Sequence, residues 1–261
     1  MREGFLMPAR SAHTVTGALL IGGAVLVNAA FALLSGTFDY PDVLRQPTEE
    51  VLLRFHTHAL LIGTLFTLLA LGAATLAPIA LRTARMAAGG RTSTAAATTG
   101  VAAAAVQVAG LMRWPLLVPP LAGRVADPDS SAAQRAEAVE LFETLNRMLG
   151  QIVGETLGYV LTAAWTLLIV TALRRRSLIS RPVAALALTC VPLILAGLLV
   201  PFGVPGADQA NFAGYVLWSL WLILLGTGML RASRIQSPVQ DHEGTAARAC
   251  GVPEPGRPTA S

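Results

Sequence analysis

One acidic side chain, Glu155, stands inside an otherwise apolar stretch of the sequence. At 100° per residue, a helix would place Gln151, Glu155 and Tyr159 on one narrow arc, together with Thr162 and Thr166. Most other positions of the stretch are aliphatic. Ionisable side chains within membrane helices almost always face protein or a water-filled cavity. We therefore predict that this arc faces the protein interior.

Partners for Glu155 are predicted by depth, counting residues inward from the ends of the apolar stretches. The polar side chains at a similar depth are Arg113, Asn28, His56 and His58. A charge in lipid costs on the order of 2.5–3.5 kcal/mol, so we predict that Glu155 pairs with Arg113 and that the others lie nearby. The pair would serve either to fix helix register or as a ligand site.

Glycines repeat every fourth residue beside the arc, at Gly150, Gly154 and Gly158, with Thr162 one step further. Such a ridge lets a neighbouring helix approach closely. Packing within the chain is one interpretation, and contact with a second copy or a partner membrane protein is the other.

Metal and catalytic signals are weak. His56 and His58 would point about 160° apart on a helix, so they could bind one metal only before a helix begins. We predict an interfacial role for both and no metal or other cofactor. The sequence has no catalytic motif for hydrolysis or nucleotide binding, which favours a protein that is not an enzyme.

The elements that carry these residues follow from composition. The chain of 261 residues is 54% hydrophobic and only 13% charged, where soluble domains carry about 25% charged residues. This excludes a soluble globule, and scattered arginines argue against a nucleic-acid partner. We predict an all-α bundle in a lipid bilayer with spans near 13–35, 53–80, 95–118, 148–173, 183–203 and 211–230.

Charge predicts the topology. All 19 basic residues are arginines, and most of them lie at both termini and in alternate loops, whereas most acids lie in the other connections. We predict that both termini are cytoplasmic, with a cytoplasmic segment 1–12, the bundle at 13–232 and a disordered tail at 233–261. The arginine-only, alanine-rich composition suggests a bacterial cytoplasmic membrane.

The first span could also be a signal peptide cleaved after Ala30-Phe31-Ala32. The apolar run at 15–34 is longer than the usual 7 to 15 residues of such peptides, which favours retention.

An amphipathic helix is predicted before the fourth span, beginning after Asp129-Ser130-Ser131. Its apolar residues Val139, Phe142, Leu145 and Leu149 recur at three- and four-residue steps. It would serve as a connector packed on the bundle or as a gate.

Two sequence segments resemble a family. The run Arg-Trp-Pro-Leu-Leu-Val-Pro-Pro-Leu-Ala at 113–122 and the later Gly-Glu-x-x-Gly-Tyr at 154–159 resemble a domain-of-unknown-function family of small bacterial multi-pass proteins, over about residues 15–231. The resemblance implies a six- or seven-span bundle in which Arg113, Trp114, Glu155 and Gly158 match recurring positions. It implies no substrate, and it adds Trp114 to the candidate ligand-binding residues.

Three functions stay open. The leading hypothesis is a transporter-like or sensory protein that binds a small solute, ion or lipid in an outer-leaflet cleft at Glu155 and Arg113. The second is a scaffold or regulatory subunit that packs through the glycine ridge. The third is a membrane enzyme that binds haem or a metal or acts on lipids.

Overall fold

A computed structural model describes residues 9–87 and 89–235. The predicted N-terminal segment and the predicted disordered tail fall largely outside this range. Regular structure within it is entirely helical. The all-α fold predicted from composition is therefore confirmed.

The first half of the described chain holds four α-helices and one short 3-10 helix. They are α1 (Ala9–Phe38), the 3-10 helix Asp42–Arg45, α2 (Thr48–Thr57), α3 (Ala59–Ala74) and α4 (Leu76–Met86).

The second half contains six α-helices and two segments of other helix types. In chain order these are α5 (Arg91–Leu116), α6 (Val118–Ala126), α7 (Ala132–Leu145), a π-helix (Asn146–Leu157), α8 (Gly158–Arg175), α9 (Arg181–Ala196), a 3-10 helix (Gly197–Phe202) and α10 (Ala207–Ile235).

Six of the described helical stretches are long and apolar enough to cross a membrane, which confirms the predicted number of spans. They are Ala12–Phe38, Ala59–Met86, Arg91–Ala126, Ala132–Arg175, Arg181–Phe202 and Ala207–Ser233. The protein is thus a multi-pass membrane protein. The second span begins at Ala59, later than the predicted residue 53, because the backbone leaves helical geometry at His58 (φ −131°, ψ 33°).

The spans form a closed ring, because each packs against its neighbours in the chain and the sixth returns to the first. Helix α5 has the most varied surroundings, since α3 and α4 cover one part of it and α8 and the π-helix cover another. Residues on α5 therefore reach both halves of the bundle.

Two apolar cores fill the ring. One contains Trp165 and Trp221 and lies toward the arginine-rich ends of the spans, and the other surrounds Trp114 at the opposite ends. Each of these indoles is fully buried. Polar side chains of α5, the π-helix, α8 and α10 meet between and beside these cores.

The predicted amphipathic helix is α7. Ser131 accepts a hydrogen bond from the backbone N–H of Gln134, whose side chain accepts one from the N–H of Ser131, so a reciprocal cap fixes its start. Ala138 and Phe142 are buried against the second core. The helix packs against the bundle and continues into the π-helix, so the helical stretch that holds the fourth span begins at Ala132, earlier than the predicted span.

Candidate functional site

Glu155 lies on the π-helix and not on an α-helix. The residues predicted to share its arc differ in exposure. Gln151 is exposed, whereas Glu155 and Tyr159 are partly buried.

The glycines of the ridge pack on α5. A Cβ atom added at Gly110 would stand 2.7 Å from the Cα of Gly154, so the two backbones are in direct contact. A Cβ at Gly150 would meet the guanidinium of Arg113, with its Nη2 at 2.7 Å, and one at Gly158 would meet the side chain of Gln107. The ridge is thus occupied from within the chain by α5.

Arg113 is buried beside this contact, with 4% of its surface exposed. Its Nη1 donates to the carbonyl oxygen of Gly110, one turn back on α5, and its Nη2 donates to Oδ1 of Asn146 at 2.8 Å. The guanidinium carbon also lies 5.3 Å from the centre of the Trp114 ring. These contacts hold the positive charge in one position between α5 and the π-helix.

The predicted ion pair between Arg113 and Glu155 is not made. No nitrogen of Arg113 lies within 4.0 Å of a carboxylate oxygen of Glu155, and the ion pairs of the described residues involve Arg45 and Arg54 instead. The two charges still interact electrostatically across the site. The guanidinium instead donates through Nη1 and Nη2 to the Gly110 carbonyl and Asn146, partners that sequence spacing did not indicate.

All three tyrosines of the chain lie close enough to Glu155 to interact with its charge. Tyr159 and Tyr215 contact each other, with ring centres 5.9 Å apart, and Tyr40 comes from the connection after α1. Burial raises the pKa of the Tyr40 phenol above its ordinary value, and the neighbouring Arg113 acts in the opposite direction. The charge of Glu155 therefore acts on tyrosines from three separate parts of the chain.

A hydrogen-bonded chain extends the polar site into the bundle. Gln107 donates through Nε2 to Oγ1 of Thr162 at 3.0 Å. One turn further on α8, Thr166 accepts from the Trp218 indole at 2.9 Å. The resulting polar layer connects α5, α8 and α10, and buried hydroxyls within it are satisfied by neighbouring side chains or by their own helix.

Trp114 belongs to the apolar core and not to an open site. The ring is fully buried and stacks on Phe66, with centres 4.7 Å apart and planes 6° from parallel. Further aromatic rings surround it: Phe38, Tyr40, Phe55 and Phe142. Its contact with Arg113 still links this core to the polar site.

The remaining predicted residues make no hydrogen bond or ion pair to Glu155 among the described residues. Asn28 donates to the carbonyl of Ala24 on its own helix, at 2.8 Å. His56 and His58 are exposed where α2 gives way to α3. Within the part of the chain that the structure describes, there is no group of three or more His, Cys, Asp or Glu side chains arranged for a metal.

Sequence reasoning missed four contributors to the site: Tyr40, Gln107, Asn146 and Tyr215. Tyr215 and Gln107 had a usable signal, because each is a polar residue within an apolar span. Tyr40 and Asn146 had none, since they lie outside the predicted spans, in segments that read as connections. Their approach to Arg113 depends on how the connections fold back over the bundle.

Comparison with known proteins places the chain in a family. No curated protein and no solved structure matches it significantly. One family model matches residues 15–226, which is most of the chain and nearly the range over which the two sequence segments suggested a resemblance. The chain therefore belongs to the family described as the domain of unknown function DUF4386.

Proposed function

We propose that this membrane protein binds a small cation, or a proton, at Glu155, as part of a transport or sensory bundle. The carrying observation is that a carboxylate within a span interacts electrostatically with three tyrosines and has no ion pair among the described residues. A charge in this setting needs a partner or water. A cation coordinated by the carboxylate and phenol oxygens would supply that partner.

Arg113 supports this assignment by being already engaged. Its guanidinium donates to Gly110 and Asn146, so it balances charge near Glu155 without closing the carboxylate off. A direct Arg–Glu pair would have favoured a purely structural role, because both partners would then be satisfied.

The π-helix is a second support. Such segments are rare and frequently occur at functional sites, because the wider winding disturbs the regular backbone ladder. Here the segment includes both Glu155 and the glycines that contact α5. It therefore joins the proposed binding group to the helix interface that would respond to binding.

A thermal-unfolding assay tests the proposal. Purified full-length protein in lipid nanodiscs is heated in sodium, potassium, ammonium or methylammonium chloride, with N-methylglucamine chloride as the reference salt. At least one cation, or acidification, should stabilise the wild type and leave Glu155→Gln unaffected. Glu137→Gln is the control, because Glu137 is an exposed carboxylate on α7. Equal responses of wild type and Glu155→Gln, or no response of the wild type to any cation or to pH, would overturn the proposal.

We also propose that the arginine-rich end faces the cytoplasm of a bacterium. Loops 82–91 and 174–181 hold seven of the arginines and no acid, as expected for loops retained inside. Membrane-impermeant thiol labelling of intact cells should modify Gln46→Cys but not Leu178→Cys, in a Cys250→Ser background. The reverse pattern would invert the topology.

The scaffold hypothesis gains no support from the glycine ridge. Helix α5 occupies Gly150, Gly154 and Gly158, so a partner could reach them only by displacing part of the bundle. No second function is proposed on that basis.

A further inference from the structure

A separate cavity of about 440 Å³ opens at the arginine-rich end of the bundle, away from Glu155. It lies between the start of α5 and the end of α8. Its polar and charged lining comes from Arg91, Thr92, Ser93, Arg175 and Arg176, and Gly89 and Gly90 form one wall. The lining contains no acidic residue.

The two loops beside the cavity add no negative charge to it. Loops 82–94 and 174–183 contain no Asp or Glu. The charge of Arg91 and Arg175, both exposed, therefore acts on the cavity and on the membrane surface beside it.

Two polar features of α5 are directed at the cavity. Ser93 is buried, with 5% of its surface exposed, yet its hydroxyl makes no hydrogen bond within the described residues although it lines the cavity. Helix α5 also begins without a capping side chain, because its N-cap residue is Gly90 at φ 98°. First-turn N–H groups without a cap favour an anion, and the helix dipole adds to that preference.

We infer that this cavity binds a phosphate-type anion through Arg91, Arg175, the Ser93 hydroxyl and the first turn of α5. A phospholipid headgroup and free phosphate offer the same chemistry, since both present several anionic oxygens to guanidinium and N–H donors. The position at the ends of three spans suits a headgroup, as basic pockets between membrane helices bind anionic lipids.

The test compares two probes on purified full-length protein in detergent. The first probe is phosphatidylglycerol, with phosphatidylcholine as its control. The second is inorganic phosphate, with chloride at equal ionic strength as its control. The thermal midpoint is followed as each probe is titrated. Stabilisation by phosphatidylglycerol alone identifies a headgroup, and stabilisation by both identifies a site open to free anions. Equal effects of the two lipids together with no effect of phosphate would overturn the inference.

Matched variants separate the cavity from general surface charge. Arg91→Gln and Arg175→Gln should each lower the apparent affinity for the stabilising probe by about fivefold, the effect of one basic residue near an anionic surface. Ser93→Ala should also lower this affinity, although it leaves the charge unchanged. Arg85→Gln removes the same charge from an exposed position of α4 outside the cavity, so it should behave as wild type. A loss in Arg85→Gln equal to that in Arg175→Gln would reduce the effect to net charge and contradict the site.

Discussion

Gly110 of α5 and Gly154 of the π-helix touch through their backbones: a Cβ at Gly110 would lie 2.7 Å from the Cα of Gly154 and 2.9 Å from the carbonyl oxygen of Leu149. Both obstacles are backbone atoms, which cannot rotate away. The closeness of α5 to the π-helix, and with it the position of Arg113 near Glu155, depends on the absence of side chains at this point.

Gly110→Ala should therefore destabilise the protein. Forcing an extra methyl group into a packed contact costs typically about 1–3 kcal/mol, and here it would also move the guanidinium of Arg113 relative to Glu155. The free energy of unfolding in mild detergent measures the effect. Gly22→Ala is the matched control, because a Cβ there would meet nothing within 4 Å and alanine favours a helix. Equal stability of the two variants would argue against the close contact.

Arg113→Lys should fail to replace arginine although it keeps the charge. The guanidinium donates from two nitrogens to two acceptors on different elements, the Gly110 carbonyl and Asn146, and a single ammonium cannot reproduce that fork. The lost hydrogen bond to a charged group should cost about 1.5–3 kcal/mol in unfolding free energy. Arg124→Lys, at an exposed arginine of α6, should change the unfolding free energy little. Similar losses in both variants would contradict the bridging role.

Trp114→Ala should be among the most damaging single changes in the second core. The ring is fully buried and contacts aromatic side chains from α1, α2, α3 and α7, so its removal leaves a cavity that costs about 3–5 kcal/mol. Trp114→Phe keeps part of the stacking and should lose less. Phe202→Ala, at a residue 81% exposed, provides the control. If Trp114→Phe lost as much thermal stability as Trp114→Ala, aromatic stacking would not be what makes the indole important.

The fold was predictable because lipid imposes a simple requirement on sequence. A span must be long and apolar, and its ends attract charge, so counting along the chain located all six spans. The start of α7 was predictable for a local reason, since Ser131 and Gln134 carry the capping pattern within four residues.

The site was predictable only in part, because depth along a helix does not specify direction around it. Depth correctly brought Arg113 and Glu155 to the same region, but Gln151, which was predicted on the same arc, is exposed. Asn28 illustrates a second limit: a polar side chain in a span can satisfy itself on the preceding turn of its own helix. A carboxylate such as Glu155 accepts hydrogen bonds but does not donate them, so it cannot bond to a carbonyl of its own helix. For this reason Glu155 indicated the site whereas Asn28 did not.

Tyr40 predicts a response to alkaline pH. Burial raises the pKa of its phenol above the ordinary value of 10.0, so the folded state holds the proton more tightly than the unfolded state does. This contribution to stability is fully present below a pH of about 10 and is lost as the pH rises through the folded-state pKa. Tyr40→Phe cannot ionise there, so its unfolding free energy should fall less than that of the wild type above about pH 10. Denaturant unfolding across this range, with tyrosinate absorbance followed in parallel, measures the difference. Identical alkaline slopes would show that Tyr40 ionises as freely in the folded protein as in the unfolded chain.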